Sequence, residues 1–277
     1  MDISSSSRRV NGTNRRNPEA YRPSAFITNQ RKRKRRKKTM SETLKRGIDV
    51  SEWQLEIDWP KVAAAGVEFA MIRATHGLKR DAYFDRNVKG ALSAGIAVGV
   101  YCCSYATTKS GVEAEAGYFL GTIAEYADDI TYPAAFDAEQ ASQFNLGKSK
   151  VTELILTFCK AVENAGYIPV NYTNCNWLNN VIDKPALANA GIDTWVSWPK
   201  NVKSFADKPE DAVTKHEHTM WQFSCHGKVD GISGNVDLNV CYVDYPALFE
   251  DETENEYVTL AEAGEILREA GVKGIIV

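Results

Sequence analysis

The chain has 277 residues, 44% of them hydrophobic, with 33 Lys/Arg against 36 Asp/Glu and a formal net charge of −3. Residues 46–250 are ample for one barrel-sized domain, and no apolar run is long enough to span a membrane, which excludes an integral membrane helix. The charge is uneven: residues 1–40 carry 13 Lys/Arg against 2 acidic side chains, a net of +11, and leave −14 on the rest, so nucleic-acid affinity is expected of the tail alone and not of the remainder.

Residues 1–42 read as a disordered basic tail, polar and poor in periodic apolar positions. Its block Arg31 to Lys38 fits a nuclear signal or a nucleic-acid patch. It also fits a nucleotide-level origin, because Arg35-Arg36 can be encoded as a purine-rich ribosome-binding sequence a few codons before Met40. Translation is therefore expected to begin at Met40.

Residues 43–250 read as one domain. Strands are expected at Val67 to Arg73, Ile96 to Tyr101, the run ending in Asp137 and Glu139, and Tyr167 to Tyr172. Helices are expected at Asp81 to Ala94, Lys109 to Tyr126 and Ser149 to Ala165, the last with Val151, Leu154, Ile155, Phe158 and Val162 at helical spacing. The phrases Ala65-Gly66-Val67, Ala94-Gly95-Ile96 and Ala165-Gly166-Tyr167 each place a C-cap glycine before a strand. That alternation predicts a parallel sheet of βα units closed into a barrel. After about residue 190 the strands Thr194 to Trp198, Met220 to Phe223 and Val236 to Leu238 are joined by loops. The expected fold is an α/β, irregular TIM-like barrel of about five βα units followed by strands with few helices. Residues 251–277 read as an acidic linker and a short extension or truncated module, with a helix over Leu260 to Ala270 capped by Gly271.

The chemistry concentrates in Phe136-Asp137-Ala138-Glu139. On a strand, Asp137 and Glu139 would share one side. Paired carboxylates suit glycoside hydrolysis, in which one stays protonated to donate to the leaving oxygen and the other stabilises positive charge at the sugar. Asp49 in Gly47-Ile48-Asp49-Val50-Ser51 and Asp237 in Val236-Asp237-Leu238-Asn239 stand beside β-branched residues at strand-like termini. Three acidic strand ends suggest strands converging on one pocket.

These pieces, with Gln54, Phe69 to Thr75, Gly99-Val100-Tyr101, Tyr172-Thr173-Asn174, Trp195-Val196 and Trp221-Gln222-Phe223-Ser224, occur in an order that resembles family 25 glycoside hydrolases, the Chalaropsis-type lysozymes. The resemblance covers about residues 46–246. It implies an irregular α/β barrel and hydrolysis of the β-1,4 bond between N-acetylmuramic acid and N-acetylglucosamine in bacterial peptidoglycan. By motif position it makes Glu139 the general acid. Asp137 would stabilise the developing charge or orient the 2-acetamido group, and Asp49 and Asp237 would complete the acidic set. Tyr101, Tyr105, Tyr172, Trp195, Trp198 and Trp221, at or just beyond strand ends, suit pyranose faces. Arg73 is expected to contact substrate or to pair with a buried carboxylate.

No metal or cofactor is expected: His216/His218 lack a zinc pattern, and the six Cys read as buried free thiols rather than a disulfide framework. A monomer is expected. No secretory h-region stands near Met1 or Met40, so the expectation is an endolysin-like enzyme made in the host cytoplasm and acting on the wall after release, with non-standard export as the alternative. A catalytically weak wall-binding protein is the competing reading; Glu139→Gln separates the two.

Overall fold

The computed structural model describes residues 40–209 and 216–249, with side chains from residue 44 onward. The expectations placed on the basic tail and on residues 250–277 lie outside the described residues.

Eight strands close a barrel: β1 (Met40–Val50), β2 (Phe69–His76), β4 (Ala97–Cys103), β5 (Ile130–Asp137), β6 (Pro169–Asn174), β7 (Asp193–Ser197), β8 (Met220–Gly227) and β9 (Val236–Val243). A two-residue strand, β3 (Lys79–Arg80), folds back antiparallel on the end of β2. Pairing is parallel from β1 round to β8. β9 then runs antiparallel to both β8 and β1, which closes the ring. The connections carry α1 (Trp59–Ala64), α2 (Phe84–Ser93), α3 (Lys109–Ile123), α4 (Ala141–Phe144), α5 (Lys148–Asn164), α6 (Cys175–Asn180) and α7 (Lys184–Asn189). Between β7 and β9 the described connections hold one short 3-10 helix, Phe205–Asp207, and no α-helix. Five βα units followed by helix-poor strands is the expected architecture.

The helix ends follow from the sequence. Gly66, Gly95 and Gly166 take φ of +84°, +75° and +89°, the left-handed turn that lets a helix stop and feed a strand at once. α2 starts at Phe84 rather than at Asp81, because the Asp81 carboxylate is drawn into ion pairing (below) instead of into the helix.

Strand alternation splits the apolar side chains into two cores. Ile48, Val50, Ala70, Ile72, Trp221 and Phe223 pack outward against the helices. Phe69, Met71, Tyr132, Val170, Trp195 and Tyr245 fill the barrel. The interior is tight where Phe69 stacks on Tyr132 at 4.4 Å between ring centroids. A Cβ on Gly47 would fall onto the Phe69 ring. Gly47→Ala is therefore expected to cost about 1–3 kcal/mol through overpacking, read as a lowered midpoint in thermal or urea unfolding; an unchanged midpoint would mean that the Phe69–Tyr132 stack yields freely.

Candidate active site

The inward positions at one end of the barrel are polar. Asp49 lies between outward Ile48 and Val50, and Asp237 between outward Val236 and Leu238. The two aspartates face each other in register across β1 and β9. Because β9 is antiparallel, Asp237 reaches this end from the start of its strand. Asp237 is thus an acidic strand end of the expected kind, at a strand's start. A correction concerns the D-x-E pair. β5 ends at Asp137, so strand alternation places Asp137 alone, and Glu139 is placed by the loop that leads into α4.

Asn174 fixes that loop residue. Its Oδ1 accepts from the Trp177 backbone N–H at 3.1 Å, which caps α6. That leaves its Nδ2 to donate to Glu139 Oε1 at 2.7 Å. An N-cap orients its side chain through the backbone, so this amide is aimed before any ligand arrives.

Gln222 is the hub of the other half. Its Oε1 accepts from the Tyr172 hydroxyl at 2.9 Å and the Ser197 hydroxyl at 2.7 Å. Its Nε2 donates to Asp49 Oδ2 at 3.0 Å and Asp237 Oδ2 at 3.2 Å. Asn239 adds a parallel chain: it accepts from the Trp195 indole N–H at 2.8 Å and donates to Asp49 Oδ2 at 2.7 Å. Asn174, Gln222 and Asn239 were not among the expected site residues. The signal for the last two was available, since a lone amide inside an apolar strand demands buried partners.

Each of the four carboxyls is pushed upward, and burial is the largest cause for all of them. Asp137 is raised to about 8 by burial, then by the Glu139 and Asp49 charges. Asp237 is raised to about 8 by burial and by Asp49. Asp49 is raised by burial against the opposing donors Gln222 and Asn239. Glu139 is raised by burial and by Asp49, with Asn174 opposing. The Glu139 side chain is exposed and Asp137 is half-buried, although protein walls surround both carboxyls; that is the setting of groups at the mouth and floor of an open cleft.

The remaining expected residues divide. Tyr101 and Tyr172 pack edge-on against the Trp195 ring at 6.2 and 4.6 Å, and both phenols feel the carboxylate charges. Trp195 itself is buried and lines the floor. Tyr105 is half-exposed on the rim, edge-on to His76 at 6.5 Å. Trp198 and Trp221 belong to the outer core. The Trp221 indole N–H is spent on the Trp198 carbonyl at 3.2 Å, and β8 turns Gln222, not Trp221, toward the acids. Arg73 donates to Asp81 Oδ2 at 2.8 Å and Glu52 Oε1 at 3.0 Å, so its guanidinium is engaged with carboxylates, the Asp81 one buried.

Among the described residues no group of three His, Cys, Asp or Glu side chains is placed to hold a metal ion, and no helix is long and apolar enough to cross a membrane. All six cysteines are free; Cys102, Cys159, Cys175 and Cys241 are buried, Cys103 is half-buried and Cys225 exposed. A cavity of about 1030 Å³ lies beside α3 and α5, and none of the four acids lines it.

Raised, mutually interacting carboxyls at one mouth of an α/β barrel are the equipment of a glycoside hydrolase. The chain belongs to glycosyl hydrolases family 25, whose model matches residues 48–232. Lysozyme M1 of Streptomyces globisporus is 32% identical over 201 residues, 70% of this chain and 66% of that protein; the chain thus spans about two thirds of that relative's length. A family 25 glycosyl hydrolase of Bacillus anthracis superposes with a TM-score of 0.57 at 25% identity, covering 76% of this chain and 92% of that one. The modular autolysin LytC of Streptococcus pneumoniae, solved with a synthetic peptidoglycan ligand, gives a TM-score of 0.60 at 25% identity, covering 73% of this chain and 47% of that one.

Proposed function

We propose that this chain is an N-acetylmuramidase that cleaves the β-1,4 bond between N-acetylmuramic acid and N-acetylglucosamine in bacterial peptidoglycan. Glu139 serves as general acid, and Asp137 serves the sugar's developing positive charge. The observation that carries the assignment is the contrast between the two carboxyls. Glu139 is exposed and held by Asn174, where a leaving oxygen can reach it. Asp137 lies on the floor, and among the described residues its buried Oδ1 meets no N–H or O–H donor. A 2-acetamido N–H of the substrate is a donor of the missing kind, which favours Asp137 as the group that orients it.

In the free protein burial raises both carboxyls, Asp137 to about 8. Interacting carboxyls titrate as a unit. Positive charge developing at the anomeric carbon favours the state with Asp137 ionised and the proton on Glu139, which is the state the reaction uses. Asp49 and Asp237, joined through Gln222, complete the acidic set behind the sugar.

The substrate is the wall, and the enzyme acts there as a monomer after release from the cytoplasm in the manner of an endolysin. The test is to incubate the full chain with purified peptidoglycan, reduce the new ends with borohydride and identify them by mass spectrometry. Reduced muramic acid ends are expected. Reduced glucosamine ends would reassign the bond, and bound sacculi without new ends would make this a wall-binding protein.

A further inference from the structure

Asn174 holds the Glu139 carboxyl, but the backbone that carries Glu139 is held from another side. It leaves β5 at Asp137, whose carbonyl accepts from the Ser104 N–H at 2.7 Å. It enters α4 at Gln140, whose N–H donates to Gln143 Oε1 at 3.1 Å. The Gln143 amide then turns back to the segment that follows β4. Its Nε2 shares two hydrogens among the carbonyls of Ser104 at 3.3 Å and Ala106 at 3.0 Å and the Ser104 hydroxyl at 3.2 Å. Both ends of residues 137–140 are thus fastened to the same short stretch, residues 104–106, with Glu139 between them.

That stretch is itself anchored. Glu115 on α3 is buried and accepts from the Ser104 hydroxyl at 2.5 Å and from the Tyr105 N–H at 3.1 Å, one on each oxygen. Ser104 Oγ gives its one hydrogen to Glu115 and accepts from Gln143 Nε2 and from the Ala106 N–H at 3.3 Å, which fills a hydroxyl's whole capacity. Ser104 and Gln143 are fully buried. A carboxyl, a hydroxyl and an amide are costly choices for a place that apolar side chains could fill. Once every member is satisfied, such a network fixes one arrangement, here the separation of two loops that follow the neighbouring strands β4 and β5.

We infer that Gln143 is a positioning residue for Glu139, fastening the backbone beside the acid to the loop after β4 so that the carboxyl is aimed from behind as well as by Asn174. The inference rests on the reading of Glu139 as the general acid. Proton transfer requires hydrogen-bond reach to the leaving oxygen, and a misplacement of about 1 Å can cost about a hundredfold in rate. Asn174 alone would hold the carboxyl while the loop behind it shifted; the Gln143 tie removes that freedom.

The experiment compares turnover of peptidoglycan by the full chain with that of two variants. Gln143→Leu keeps the volume and removes both halves of the tie. Gln143→Asn keeps the amide on a side chain one methylene too short to bridge Gln140 and residues 104–106. Each is also combined with Glu139→Gln. Both are expected to lower kcat, Gln143→Leu by about ten- to a hundredfold, with KM little changed. In the Glu139→Gln background, where no proton is left to aim, the same changes are expected to cost less than about threefold. Equal losses in the two backgrounds would make Gln143 a support of the barrel alone and overturn the inference. Gln143→Asn, the gentler change, carries every readout should Gln143→Leu fail to fold. The nuclear magnetic resonance signal of the Asn174 side-chain amide, which donates to Glu139 Oε1, reads the geometry without activity. The part of its pH-dependent shift that Glu139→Gln abolishes is expected to collapse in Gln143→Asn. An unchanged shift would overturn the inference even in a variant of low activity. A collapsed shift in protein whose parent makes no new chain ends would keep the positioning and remove only the reaction assigned to Glu139.

Discussion

Glu139→Gln is expected to lower turnover of peptidoglycan by about 10²–10⁴-fold, the usual range for loss of a general acid, while fold and sacculus binding persist. The substitution is close to isosteric, and its carbonyl oxygen can still accept from Asn174 Nδ2, which now holds Oε1 at 2.7 Å. The α6 cap is therefore kept, and the side chain is exposed, so no buried group is orphaned. What disappears is the proton. Removing the Glu139 charge also relieves one of the two charges that raise Asp137, so Asp137 ionises at lower pH in the variant and its own function is not impaired near neutrality. The loss should then appear in kcat with KM little changed, measured as the rate of new reducing ends on sacculi. Turnover within a few-fold of the parent protein would remove Glu139 from the acid's role and return that role to the Asp137 carboxyl.

Much of this was legible in the chain, and the failures have local causes. The three Ala-Gly phrases read correctly because a left-handed C-cap has a strong glycine preference, and the acids were visible because an Asp between β-branched residues has few structural excuses. Trp221 shows the limit. Trp195, Trp198 and Trp221 are alike in sequence, yet only Trp195 joins the acids. The difference is strand parity, and the register slips on β8 against β9 and on β4 against β5 make parity hard to count from a chain. Gln222 gave the better clue: an amide flanked by Trp221 and Phe223 must face the polar end if both aromatics face the helices. Asn174 was hidden for another reason. Its contact with Glu139 joins the end of β6 to the loop after β5, and the pairing of those two strands, distant in the chain, brings them within 2.7 Å. The Asp137–Glu139 spacing suggests strand alternation, but it is a strand end followed by a loop residue that Asn174 holds.

Assembling four acids at one mouth has a thermodynamic consequence that extends beyond catalysis. Asp137 and Asp237 each rise to about 8 in the folded protein, against an ordinary aspartate value of about 4 in the unfolded chain. Between those values the folded state holds protons that the unfolded state has released, so folding stability falls as pH rises. The protonated carboxyls contribute their full stability below about pH 4, lose it progressively up to about 8, and the curve flattens above that. Asp237→Asn should remove one share of this slope. The replacement amide can keep an acceptor for Gln222 Nε2, now 3.2 Å from Asp237 Oδ2, and it offers a donor toward Asp49, which is buried and likewise raised. The two proteins are expected to unfold alike near pH 5. At pH 9 the variant should be more stable by a few kcal/mol, since each pKa unit is about 1.4 kcal/mol and part of the burial penalty is screened at a half-exposed mouth. For a barrel of this size that is a rise of roughly 5–10 °C in Tm, gained while the rate of wall hydrolysis falls. Parallel Tm curves for the two proteins from pH 5 to 9 would show that Asp237 is not held protonated by the fold. A variant less stable at pH 9 would show that the Asp49–Gln222–Asp237 network stabilises the barrel through its charges rather than in spite of them.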